Sequence, residues 1–168
     1  MRKVKIITAD EAAKLVKNGD TITTSGFVAS AIPEALNKAV EKRFLETGEP
    51  NNLTYVYCGS QGNKDGRGAE HYAHEGMLKR YIAGHWATVP ALVKMALENK
   101  MEAYNVSQGA LCHLFRDIAA HKPGTFTKVG LGTFIDPRNG GGKVNDITKE
   151  DIIELVNIKG QDYLFYPA

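Results

Sequence analysis

Leu53-Thr54-Tyr55-Val56-Tyr57-Cys58, running directly into Gly59-Ser60-Gln61-Gly62, decides the fold. A run of β-branched and aromatic residues that stops at a glycine-rich polar loop, Gly59 to Gly68, predicts a strand that delivers the chain to a loop. Upstream, Gly48-Glu49-Pro50-Asn51-Asn52 breaks the chain, and Pro33 suits the first turn of a helix running to about Phe44. Before that come the small-residue loop Ser25 to Ser30 and the short β-branched strand Thr21-Ile22-Thr23-Thr24. Thr8 or Asp10 caps a first helix to about Lys17, ended by Asn18-Gly19-Asp20.

Downstream the rhythm repeats. Strands are predicted at Arg80–Ala83 and Glu102–Val106, and helices at Pro90–Glu98 and Ala110–Ala120. Phe126-Thr127-Lys128-Val129 leads into the loop Gly130 to Asn145, and Ile152–Ile158 with Tyr163–Tyr166 reads as a hairpin around Lys159-Gly160-Gln161. Strands alternating with helices give an α/β fold with an open, largely parallel sheet flanked by helices. Ligands of such sheets meet the loops at the carboxyl ends of the strands. The loops to watch are therefore 25–32, 59–68, 107–109 and 130–145.

The 168 residues fit one domain, and a chain of this size hides about 70% of its unfolded surface without disulfides or metals. An apolar fraction of 43% and a charged fraction of 24% exclude a disordered or collagen-like chain. A net charge of +2 is too mild for a nucleic-acid partner, which needs a clustered basic face. No stretch is apolar for long enough to span a bilayer. Met1-Arg2-Lys3 is not followed by the apolar core of a signal peptide. Cys58 and Cys112 sit in apolar runs and read as buried free thiols of a reducing, cytoplasmic protein.

Most catalytic signatures fail. Gly142-Lys143 is followed by Val144, and Pro137 stands where a P-loop needs its first glycine. Gly130-Leu131-Gly132 lacks the third glycine of a dinucleotide fingerprint, because Ile135 occupies that place. His71-Tyr72-Ala73-His74-Glu75 has neither zinc-helix order, so its histidines read as solvated or structurally bonded and no metal is expected. A Ser-His-Asp triad stays open to sequence reading, although no G-x-S-x-G elbow occurs.

Two loops remain. Gly130 to Lys143 holds five of the 17 glycines, a costly composition for a spacer, and reads as an ordered loop that contacts substrate or partner. Ser25-Gly26-Phe27-Val28-Ala29-Ser30-Ala31 admits two readings on composition: ligand approach to a helix start, or tight strand-to-helix packing.

At these loops the sequence resembles the family I CoA-transferases. Ser25-Gly26-Phe27, Ala31-Ile32-Pro33-Glu34-Ala35-Leu36, Tyr57 to Gly62, Asn105-Val106-Ser107-Gln108-Gly109, Gly130, Asp136-Pro137-Arg138 and Gly140 to Lys143 carry the likeness, which covers the whole chain. The match is closest to the single-chain acetate/propionate subgroup. Two-subunit members have G-G-F-G-x-x-G-I-P, and Ser25, Val28 and Ala31 replace three of its glycines.

The resemblance implies transfer of CoA between a short-chain acyl-CoA and a carboxylate such as acetate, propionate or lactate. It proceeds through acyl-glutamyl and glutamyl-CoA intermediates and needs no cofactor beyond these substrates. It implies that Gln108, in an x-Q-G turn, is an oxyanion donor, and that Gly26, Phe27, Gly130, Gly132 and Thr133 line the acyl pocket. The family's nucleophilic glutamate lies in an E-x-G motif beyond this chain's length. Glu46-Thr47-Gly48 follows a helix and reads as its surface stop, not as that motif.

Residues 1–168 are therefore expected to be the N-terminal domain of a homo-oligomeric parent enzyme, inactive without its C-terminal domain. Rival readings are a non-catalytic carboxylate- or CoA-binding subunit and an acyl-CoA thioesterase. The apolar Tyr163 to Ala168, with no polar tail, reads as a strand cut in mid-domain with an exposed edge.

Overall fold

The computed structural model describes residues 4–168, so Met1-Arg2-Lys3 lie outside it. α1 (Ala9–Ala13) is capped by Thr8: its hydroxyl accepts the Glu11 N–H while the Glu11 carboxylate accepts the Thr8 N–H. The helix closes earlier than its sequence suggests. β1 (Thr21–Ile22), β2 (Leu53–Tyr57), β3 (Leu78–Ala83) and β4 (Glu102–Asn105) form a parallel sheet in the order β1-β2-β3-β4. α2 (Glu34–Thr47), α3 (Pro90–Leu97) and α4 (Gln108–Ala119) supply the helices.

The alternation along β2 explains the layering. Leu53, Tyr55 and Tyr57 enter a core with Ala39 and Val40 of α2 and Leu92, Met95 and Ala96 of α3. Val56 and Cys58 point to the other face and pack with Leu111 and Leu114 of α4. This second face also receives a three-stranded antiparallel sheet, β5-β7-β6, from β5 (Gly124–Thr127), β6 (Glu154–Ile158) and β7 (Gln161–Pro167). Between the two lies an apolar cavity of about 320 Å³ lined by Ile22, Val56, Ile82, Leu111, Phe115 and Tyr166 among others.

The hairpin forms where predicted. Lys159 (φ 51°) and Gly160 (φ 82°) both take positive φ, as a two-residue turn matched to strand twist requires. One expectation is overturned. β7 is the central strand of its sheet, paired with β5 on one side and β6 on the other, so it is not an exposed edge. Leu164 and Tyr166 are buried, because β5 supplies the partner that the 126–129 segment did not announce.

The segment after the 59–68 loop contains a 3-10 turn, Gly68–Tyr72, that patterning did not reveal. Carboxylates hold it in place. Glu34 accepts the Gly68 N–H and contacts His71 Nε2 at 2.9 Å, Glu41 contacts His71 Nδ1 at 2.6 Å, and Glu70 accepts the Ala91 N–H. His71 and His74, which also meets Glu41, are thus structurally bonded, as the sequence implied. Burial raises the Glu34 pKa, but the bonds from His71 and Gly68 outweigh it and leave the carboxyl below its ordinary value.

Candidate active site

Three loops meet at the carboxyl edge of the parallel sheet. The first is pinned by a buried side chain: the Gln61 amide donates to the Ser25 carbonyl, while its Oε1 accepts from Thr24 at 2.5 Å and from Tyr55 at 3.1 Å. Val28 then pairs with this segment, its N–H donating to Ser60 O and its carbonyl accepting from Gly62 N–H, each at 3.0 Å. Phe27 and Ser30 exchange backbone bonds in a tight reversal.

Gly26 (φ 109°) has no room for a Cβ, which would lie 2.7 Å from Ser30 O and 2.8 Å from Ala31 O. Packing therefore accounts for this loop's small residues on its own terms. Val28 (φ 53°) and Ala31 (φ 54°) hold the left-handed backbone at two positions where the two-subunit pattern has glycine.

Gln108 is the convergence point. Ser107 caps α4 by accepting the Ala110 N–H, so Gln108 is the first helical residue; the sequence placed it in a turn two residues before the helix. A serine cap ahead of Gln108 is the signal that reading passed over. A Cβ on Gly59 would stand 3.2 Å from the Phe27 ring and 3.6 Å from the Gln108 amide carbon. One on Gly84, after β3, would stand 2.7 Å from Gln108 Cβ. Phe27 and Gln108 thus both lie against Gly59, and Gln108 also against Gly84, and both side chains are exposed. An exposed amide at a helix N-terminus, on a floor of glycine backbone, can donate to an anion that lodges there.

The 130–145 loop is ordered from within. The fully buried Asp136 accepts four bonds, from the Gly132 N–H, the Arg138 N–H and two Arg138 guanidinium nitrogens. The Arg138 side chain, with these N–H groups, holds its carboxyl well below the usual carboxylate range. Gly130 packs on Leu164 and Ile135, Gly132 bonds to Asp136, and the Thr133 hydroxyl donates to Gly130 O at 2.7 Å. These three contacts lie within the loop and the second sheet, not against Phe27 or Gln108. The far end of the loop adds to the parallel sheet: Asn105 N–H donates to Gly142 O and Val144 N–H to Ala103 O. Gln61, Gly84 and Asp136 are the residues whose roles patterning did not single out.

Glu46 and Thr47 end α2, and Gly48 (φ 74°) is its left-handed cap. α2 runs against the strands for about 21 Å. Glu46 therefore lies toward the opposite edge of the sheet from Gln108, and is the helix stop the sequence described. Among the described residues no cluster of three or more His, Cys, Asp or Glu could hold a metal, and no helix is long and apolar enough to cross a membrane.

Comparison with known proteins places the chain in a family. The chain belongs to the coenzyme A transferases, whose family model matches residues 6–168. It is 41% identical over 164 residues to the caffeate CoA-transferase of Acetobacterium woodii, covering 98% of this chain and 31% of that protein. It is 38% identical over 168 residues to the acetate CoA-transferase YdiF of Escherichia coli K12, covering 99% and 32%. The crystal structure of the YdiF apoenzyme from E. coli O157:H7 superposes with a TM-score of 0.90 at 36% identity, covering 98% of this chain and 32% of that one. Glutaconate coenzyme A-transferase from Acidaminococcus fermentans shares the fold, with a TM-score of 0.70 at 19% identity over 98% of this chain and 53% of that one. The chain thus spans about a third of the length of these curated relatives.

Proposed function

We propose that residues 1–168 form the N-terminal, acyl-pocket domain of an enzyme that transfers CoA between a short-chain acyl-CoA and a short carboxylate of the acetate, propionate or lactate type. The observation that carries this reading is Gln108, an exposed amide at the start of α4, packed with Phe27 against Gly59. A glutamate supplied by the remaining length of the polypeptide attacks the thioester carbonyl. The Gln108 amide donates to the oxyanion that forms, and the CoA thiolate leaves. The thiolate then attacks the acyl-glutamyl anhydride, giving glutamyl-CoA and the first carboxylate. The acceptor carboxylate takes CoA by the reverse of these steps.

Gly26 and Phe27 shape the acyl end of the pocket. The resemblance assigns Gly130, Gly132 and Thr133 to the same pocket, where they act by holding the shape of the 130–145 loop and not by touching Phe27 or Gln108. CoA and acyl-CoA are substrates, with no further cofactor, and the parent enzyme is a cytoplasmic homo-oligomer.

The test is CoA exchange from acetyl-CoA to isotopically labelled propionate, catalysed by a polypeptide of the relatives' full length that contains these residues. Labelled propionyl-CoA is the expected product. Thiol release that is indifferent to propionate would make it a thioesterase and overturn the reading. Residues 1–168 alone are expected to exchange nothing.

A further inference from the structure

The chain has two cysteines, Cys58 directly after β2 and Cys112 in the second turn of α4, and the fold sets both beside the start of α4, close enough for the Cys112 thiol to act on the Cys58 thiol. Cys58 packs in the cluster that α4 builds with Ala110, Leu111 and Leu114. The backbones there are nearly in contact. Gly84 separates the Cys58 carbonyl from the first residue of α4, and the space for its Cβ is already taken by Cys58 O and by Gln108 Cα. Cys112 lies four residues after Gln108, on the same face of α4. Cys112 is exposed and Cys58 is half-buried, so neither is the buried thiol that its apolar run predicts.

We propose that Cys58 and Cys112 are a redox-active dithiol beside Gln108, closing to an intrachain disulfide by exchange with a low-molecular-weight disulfide. In the first step the exposed Cys112 thiolate attacks one sulfur of the small disulfide. A Cys112 mixed disulfide forms and one small thiolate leaves. In the second step the Cys58 thiol loses its proton, attacks the Cys112 sulfur and expels the second small thiolate. The protein dithiol is oxidised by two electrons and the small disulfide is reduced to two thiols. Burial, then the neighbouring Cys112 thiol, push the Cys58 thiol up, which leaves the accessible Cys112 to react first. The closed bond ties β2 to α4 one turn beyond Gln108. The dithiol chemistry stands on the two cysteines alone; only a consequence for transfer rests on the role proposed for Gln108.

Glutathione disulfide is a suitable probe. Incubation of the chain with it, followed by alkylation, intact-mass measurement and peptide mapping, is expected to yield a species lighter by two hydrogens, with Cys58 and Cys112 in one linked peptide pair. Substituting Cys58→Ser should leave a stable glutathione adduct on Cys112. Substituting Cys112→Ser should slow oxidation of Cys58 about tenfold or more, since the buried thiol loses its accessible partner. A wild-type chain that stops at the Cys112 adduct with Cys58 still alkylatable, that forms only intermolecular links, or that does not react would overturn the proposal. The wild-type mapping alone decides it if either variant misfolds.

Discussion

Gly84 and Gln108 are packed so closely that the glycine's missing side chain is what seats the helix: a Cβ on Gly84 would lie 2.7 Å from Gln108 Cβ and 2.8 Å from its Cα. The opposing wall is the Cys58 carbonyl, so the added methyl meets backbone and not the movable end of a side chain. Gly84→Ala should therefore destabilise the chain by about 1–3 kcal/mol, the usual cost of overpacking. Urea denaturation should show the lower midpoint. In an active full-length polypeptide the same change should lower kcat by displacing Gln108.

Gln108 itself behaves in the opposite way. Its exposed side chain has no bonded partner among the described residues, so Gln108→Ala should change stability by less than about 0.5 kcal/mol. Turnover of the full-length polypeptide should fall about 10²-fold or more, because one oxyanion donor is lost. Gln108→Glu should fare no better, since an ionised carboxylate cannot donate. Steady-state exchange kinetics give the answer, and unchanged kcat in Gln108→Ala would assign the residue to scaffolding.

The alternation of strand and helix was legible because each buried strand is a short apolar run closed by turn residues, as at Leu53–Cys58. Local patterning could not pair β5 with β7, because their register is a contact between segments about forty residues apart. It also missed the 3-10 turn at Gly68–Tyr72, which is held by Glu34 and Glu41 from α2 and by the bond of its own Glu70 to the Ala91 N–H, and not by its periodicity. The loops that carry the candidate site were legible in the sequence, and the resemblance singled out Gln108 among them. The convergence on Gln108 was not, since it depends on empty space at Gly59 and Gly84, and a glycine in a sequence does not announce what it makes room for.

Asp136 makes the acid limb of stability a test of the 130–145 loop. Its carboxyl is held well below the usual range by Arg138 and by the Gly132 N–H. The folded state therefore binds fewer protons than the unfolded state, whose aspartate titrates near pH 3.9. The stabilisation is fully present above that value and is lost as pH falls toward the depressed folded pKa. Asp136→Asn should cost about 2 kcal/mol at neutral pH, where charge-assisted bonds are replaced by weaker ones. The wild-type advantage over the variant should shrink as pH drops below about 4. Thermal melts of both proteins across this range give the difference directly.

The loop between β1 and α2 offers paired substitutions of opposite sign. Gly26 combines a positive φ of 109° with a Cβ position blocked by the Ser30 and Ala31 carbonyls, so both the backbone and the space forbid a side chain. Gly26→Ala should cost about 2 kcal/mol or more and loosen Phe27, its neighbour. Ala31 pays the left-handed penalty already, at φ 54°, with its side chain exposed. Ala31→Gly removes that strain, about 1–2 kcal/mol, and gives back part of it as unfolded-state entropy, about 0.4–1 kcal/mol. A net gain of up to about 1 kcal/mol is expected. Chemical denaturation of the two variants separates the cases: Gly26→Ala lowers the midpoint and Ala31→Gly raises it. If Ala31→Gly instead lowers the midpoint, Ala31 is not strained and the glycine of the two-subunit pattern answers to something other than backbone conformation.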